Sequence, residues 1–147
     1  MTTWNTVQFH TDQKVFGPVR HYVVDADGGV AQIRNVYTLT EETLAYAYPR
    51  QNHFERYVIG RDIVGLYDLS TVMLGLDHGY TGMPVLWETM LFGTLDSSEF
   101  QVRWTSRAAA EQGHTTLLRA LRYFVLEDSD TTHEGELIDT LYGLAGY

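Results

Sequence analysis

The chain has 147 residues, 44% of them hydrophobic and 20% charged. That is close to the globular average, so a packed core is expected rather than disorder. The net charge is −9 and Lys14 is the only lysine, so no basic run exists to displace phosphate counterions, which argues against direct DNA or RNA binding. There is no Cys, which excludes disulfides, thiolate chemistry and cysteine-ligated zinc.

In chain order, Met1 to His10 lacks a basic segment followed by an apolar run, so it does not read as a signal peptide. No apolar stretch approaches the ~20 residues of a membrane helix, and the expected location is cytoplasmic. Thr6 to Phe9 reads as a short strand. Val19 to Val24 reads as another, and Asp25-Ala26-Asp27-Gly28-Gly29 as a tight hairpin turn leading into a strand over Val30 to Leu39. The Asp-x-Asp-Gly fragment shares a piece of a calcium loop but lacks the rest. Thr40 is the expected cap of a short helix carrying Glu41 and Glu42 in its first turn, and Pro49 its expected end.

Phe54 to Ile59 reads as a strand stopped by Gly60. Leu66 to Leu76, Pro84 to Phe92, and Phe100 with Val102 and Trp104 form an expected antiparallel meander over about 66–104. In the second of these, Leu86, Glu88, Met90 and Phe92 share one face. Ser106 to Val125 is the clearest helix, because Ala110, His114, Leu117, Leu118, Leu121, Phe124 and Val125 form one apolar stripe. Glu134 to Leu144 reads as a shorter helix. The expected architecture is α+β, an antiparallel sheet packed by one long and one short helix in a single domain over 1–147.

No P-loop, GxGxxG, GxSxG or HExxH pattern is present, so the sequence points to binding rather than to a recognisable enzyme. Four features are locally odd. Gly113 in a helix interior costs about 1 kcal/mol relative to Ala, which implies close approach of the helix to the sheet or to another chain. His114 lies on the buried stripe, as a hydrogen-bonded core histidine or as a ligand or proton-transfer group. Asp77-His78 follows an apolar strand, where binding residues often sit. Glu88 is a carboxylate in mid-strand whose simplest partner is Arg103 on the next strand. If Asp77, His78, Glu88 and His114 converged, two imidazoles and two carboxylates would be sufficient for a divalent metal; no other cofactor is implied.

Ser70-Thr71-Val72-Met73-Leu74-Gly75-Leu76-Asp77-His78, then Trp87-Glu88-Thr89-Met90-Leu91-Phe92-Gly93, then Arg103-Trp104-Thr105 and Ala108 to Gly113-His114, together resemble a family of small bacteriophage proteins, especially those of actinobacterial phages. The resemblance covers about 56–121, with 1–55 as an added hairpin and helix. It implies origin in an infected bacterial cell but no particular chemistry. Three functions fit: a phage accessory protein that binds a host or phage protein, a metal or small-ligand pocket or enzyme using Asp77, His78, Glu88 and His114, and an oligomeric particle or assembly protein.

Overall fold

A computed structural model describes residues 21–33, 39–76, 84–95, 99–127 and 133–147. The expected strand at Thr6–Phe9 lies outside these residues, as do Asp77 and His78. The architecture is α+β: a two-stranded and a four-stranded antiparallel sheet with three helices. The chain divides into two compact units, 1–57 with 74–86, and 58–73 with 87–147.

In the first unit, β1 (Tyr22–Val24) pairs with β2 (Val30–Gln32). The turn between them closes as its residue types require. The buried Asp25 carboxylate accepts the N–H groups of Asp27 (2.9 Å) and Gly29 (2.8 Å), and Gly28 takes φ 81°. The expected extension of this strand to Leu39 does not occur, because Leu39 already belongs to α1 (Leu39–Asn52).

Pro49 does not end α1. Proline costs the bond to the carbonyl four residues back, but the last turn is held from outside it. Arg50 donates to the Leu74 carbonyl at 2.9 Å, and its guanidinium carbon stands 5.3 Å from the centre of the Tyr57 ring. Tyr46 donates to the same carbonyl at 2.6 Å, and the Asn52 amide donates to Tyr48 O at 2.9 Å. At the other end of the helix, His21 Nδ1 lies 2.6 Å from the buried Glu42 carboxylate.

Tyr57 is fully buried, and its hydroxyl accepts the Val24 N–H at 3.1 Å. Burial raises the phenol above its ordinary 10.0, partly offset by the Val24 hydrogen bond and by Arg50. The folded state therefore holds this proton to higher pH than the unfolded chain does. Its contribution is fully present below pH 10.0 and is lost as pH rises through the folded value. In urea unfolding followed into the alkaline range, the fall in midpoint is expected to be shallower in Tyr57→Phe than in the parent protein. Parallel curves would contradict this assignment.

In the second unit, β3 (Val58–Val64), β4 (Tyr67–Met73), β5 (Trp87–Phe92) and β6 (Phe100–Trp104) form a meander in that order. The expected strand at Phe54–Ile59 is displaced: Phe54–Arg56 is a 3-10 turn, and β3 runs on through Gly60 with an irregularity between Val58 and Gly60. Leu69, Leu91, Phe100 and Val102 line one face of the sheet. Over them lie α2 (Arg107–Glu127) and α3 (Glu134–Leu144), which contribute Leu117, Leu121, Leu137, Ile138 and Leu141.

The Ser106 hydroxyl caps α2 by accepting the Ala109 N–H at 3.0 Å. The N-terminus of α3 is held by the buried Glu134. Its carboxylate accepts the Tyr67 hydroxyl at 2.6 Å and the Leu95 N–H at 2.9 Å, and it sits at the positive end of the helix dipole.

Candidate functional site

Strand alternation decides which of the odd residues meet. On β4 and β5, Thr71 and Thr89 face the helices from within a row of Leu69, Met73 and Leu91. Each is completely buried, so each hydroxyl needs a partner. The two oxygens lie 2.6 Å apart. Trp104 Nε1–H donates to Thr89 at 2.9 Å, and Thr71 lies 2.7 Å from His114 Nδ1. His114 Nε2 is 2.8 Å from Asp62 on β3, and Arg122 stands 3.8 Å from the other Asp62 oxygen.

One direction satisfies every donor in this chain. Trp104 donates to Thr89, Thr89 to Thr71, and Thr71 to His114 Nδ1. His114 then donates from Nε2–H to the Asp62 carboxylate. This fixes the neutral imidazole as the Nε2–H tautomer. A proton on Nδ1 would instead turn the Thr71 hydroxyl back toward Thr89, whose own hydrogen would then need another acceptor. The chain is thus complete as a hydrogen-bonded core element.

Hydroxyl, imidazole and carboxylate do stand in the order of a nucleophilic triad. Thr71, however, is fully buried with its oxygen already engaged at both sides. His114 is itself only 7% exposed, pressed against Gly60 so closely that an added Cβ there would lie 2.7 Å from the imidazole. Solvent reaches the two ends of the chain, the half-buried Trp104 and Asp62, whose side chain is 34% exposed.

Glu88 points the other way. It faces Arg103 across the β5–β6 register and accepts the Arg103 Nε–H at 3.0 Å, with the Gln101 amide as a further donor. Because Thr89 faces the helices, its neighbour Glu88 must face the opposite side of the sheet, so Glu88 and His114 do not share a pocket. Asp77 and His78 lie outside the described residues. Among the described residues, no group of three or more His, Asp or Glu side chains converges as a metal site would.

The sequence reading missed both the partners of His114 and a concave surface elsewhere. A groove of about 660 Å³ runs between α2 and α3. Ala120, Phe124, Leu137 and Leu144 supply its apolar lining, with Tyr123 and Thr140 beside them, while Arg119, Glu127, His133 and Glu136 add its charged and polar part. Tyr123 is 68% exposed and Leu144 49%. The available signal was the breadth of the apolar positions on the helices. Leu117, Leu121, Leu137 and Leu141 cover the sheet and Phe124 packs at their margin, which leaves Tyr123 and Leu144 beyond the stripe the sheet can bury. A smaller concavity of about 470 Å³ lies on α1 in the other unit, between Tyr46, Arg50 and Phe54.

Comparison with family models, with curated proteins and with solved structures finds no match to the chain.

Proposed function

We propose that this chain is a small, acidic, phage-type accessory protein that acts by binding another protein, of the host in the first instance, through the α2–α3 groove. The observation that carries this reading is the groove itself: an open apolar cleft of about 660 Å³ beside the exposed Tyr123 and Leu144. Its volume falls within the ~300–1,000 Å³ typical of ligand clefts. Apolar area left uncovered next to aromatic side chains is the usual mark of an interaction surface. A groove between two helices accepts the apolar face of a third, anchored by side chains one helical turn apart. Its lining carries Glu127 and Glu136 against Arg119 within a chain of net charge −9, so the fitting partner helix has a basic polar face.

The test uses a fluorescent amphipathic helix of Leu and Lys, about 18 residues long, at physiological ionic strength. It is expected to bind saturably, whereas a scrambled peptide of equal charge does not. Tyr123→Ala and Thr140→Arg are both expected to weaken binding at least about tenfold, a loss of ~1.4 kcal/mol, without lowering the urea midpoint. Equal binding by the scrambled peptide, or unchanged binding by both variants, would overturn the reading.

A further inference from the structure

The two edges of the four-stranded sheet are treated differently. In an antiparallel ladder, alternate residues turn their N–H and C=O groups to opposite neighbours. Val64 and Tyr67 close a two-residue hairpin loop, Gly65-Leu66, so Val64, Asp62 and Gly60 bond to β4. The same alternation carried through β4 and β5 turns the backbone groups of Gln101 and Arg103 outward on β6.

Those outward groups on β6 are covered. The Gln101 N–H donates to the Tyr142 hydroxyl at 3.2 Å, which itself donates to Glu99 O at 3.1 Å. The Arg103 N–H donates to the Tyr147 hydroxyl at 3.2 Å, and Tyr147 donates in turn to Arg103 O at 3.4 Å. Two tyrosines thus block β6 against another strand, which is how a sheet edge is kept from pairing.

On β3 the outward groups belong to Arg61 and Ile63. No hydrogen bond to the backbone of either is found among the described residues. Ile63 is 72% exposed, and its side chain is a β-branched one of the kind strands prefer.

We infer that the β3 edge at Arg61–Ile63 is a docking site for an extended segment of a partner protein, added as a fifth, antiparallel strand. The chemistry of the site sets that segment's pattern. Opposite Ile63 it needs a β-branched or aromatic side chain. Opposite Asp62, on the other face, it needs Lys or Arg, because the exposed part of that carboxylate sits in a chain of net charge −9. Proline is excluded wherever the segment must donate.

A second copy of this chain fits less well. Self-pairing centred on Asp62 sets Asp62 against Asp62, and pairing centred on Arg61 sets two guanidinium groups together. Centring on Ile63 runs Arg61 against the turn residue Gly65. Each of these also joins two molecules of charge −9.

The probe is a fluorescent peptide of about seven residues alternating Val and Lys, long enough to pair along the edge. Its control is the same peptide N-methylated on alternate amides, which keeps the charge but cannot pair. The unmodified peptide is expected to bind the full chain and to slow hydrogen exchange at the Arg61 and Ile63 amides. Ile63→Pro removes an outward N–H without removing a β3–β4 bond, so it is expected to weaken binding at least about tenfold. Ile63→Thr keeps the N–H and is expected to bind. No binding, equal binding by the methylated peptide, or unchanged binding by Ile63→Pro with its fold intact would overturn the inference. So would Arg61 and Ile63 amides already protected in a dimer of the free protein. Tyr123→Ala and Thr140→Arg are expected to bind the Val/Lys peptide as the parent protein does, so this result stands or falls separately from the proposed function.

Discussion

His114→Ala is expected to lower stability by about 3 kcal/mol and to leave binding of the Leu/Lys helix unchanged. Two losses add. The ring leaves a cavity between Gly60 and α2, and deletion of buried rings and large side chains costs ~2–5 kcal/mol. The Thr71 hydroxyl, fully buried, then loses its acceptor, a penalty of ~1–3 kcal/mol when no water replaces it. The two terms overlap wherever the site relaxes, so their sum is an upper limit. Urea unfolding measures the first effect, and peptide titration of the folded variant measures the second. The ring nitrogens of the parent protein give an independent check. Nitrogen chemical shifts should place the proton of the neutral imidazole on Nε2, because only that tautomer completes the chain from Trp104 to Asp62. A parent-like midpoint for His114→Ala together with a lost ligand would make His114 a ligand-binding group rather than a core one.

Gly113→Ala is expected to destabilise the protein, against the helix scale, by up to about 2 kcal/mol. Propensity alone favours Ala by ~1 kcal/mol at an interior helical position. At Gly113, however, an added Cβ would lie 2.5 Å from the indole carbons of Trp104. Trp104 is a planar ring fixed by its own hydrogen bond to Thr89, so it cannot yield as the end of a flexible chain would. Forcing α2 away from the sheet disturbs the whole row of packed residues, and overpacking of this kind costs ~1–3 kcal/mol, which outweighs the propensity gain. Gly135 on α3 provides the contrast: nothing lies within 4 Å of its Cβ position. Gly135→Ala is therefore expected to stabilise by up to about 1 kcal/mol. Unfolding midpoints that moved in the same direction for both variants would show that helix propensity, not the contact with Trp104, governs Gly113.

These two neighbours show what was legible in the sequence and what was not. The apolar stripe located α2 and placed His114 inside it, and the cost of a helical glycine pointed to a close approach. Neither named Trp104 or Gly60 as the surface approached, because pairing between distant segments has no local signature. The alternation over Trp87 to Phe92 set Glu88 and Thr89 on opposite faces, but only the contact of His114 with the Thr71–Thr89 pair shows which face α2 covers. The Arg103 partner expected for Glu88 from the next strand is the one the structure shows, and the pocket alternative falls away. The buried threonines Thr71 and Thr89, which complete the chain, looked like ordinary strand residues. Thr71 lies in a row with Leu69 and Met73, and that is the signal a closer reading could have used.

Helix ends followed a similar division. Glu134–Leu144 was legible from its spacing, whereas Pro49 looked like a stop and is not one, since the Leu74 carbonyl holds Tyr46 and Arg50 from a distant segment. Gly60 looked like a strand end and is instead the place where the imidazole needs room. The α2–α3 groove was the hardest feature to foresee. It depends on how far two helices stand apart once their leucines have covered the sheet, and no single residue encodes that distance.

The proposed function has the chain hold a partner segment between α2 and α3 while the His114 chain maintains the core. Amide chemical-shift mapping with the Leu/Lys helix is the measurement that decides it. Shifts confined to residues 116–127 and 133–144, with Thr71, Thr89 and His114 unmoved, are the expected result. Shifts centred on Asp62 and His114 with the groove silent would contradict it and would make the polar chain the binding site.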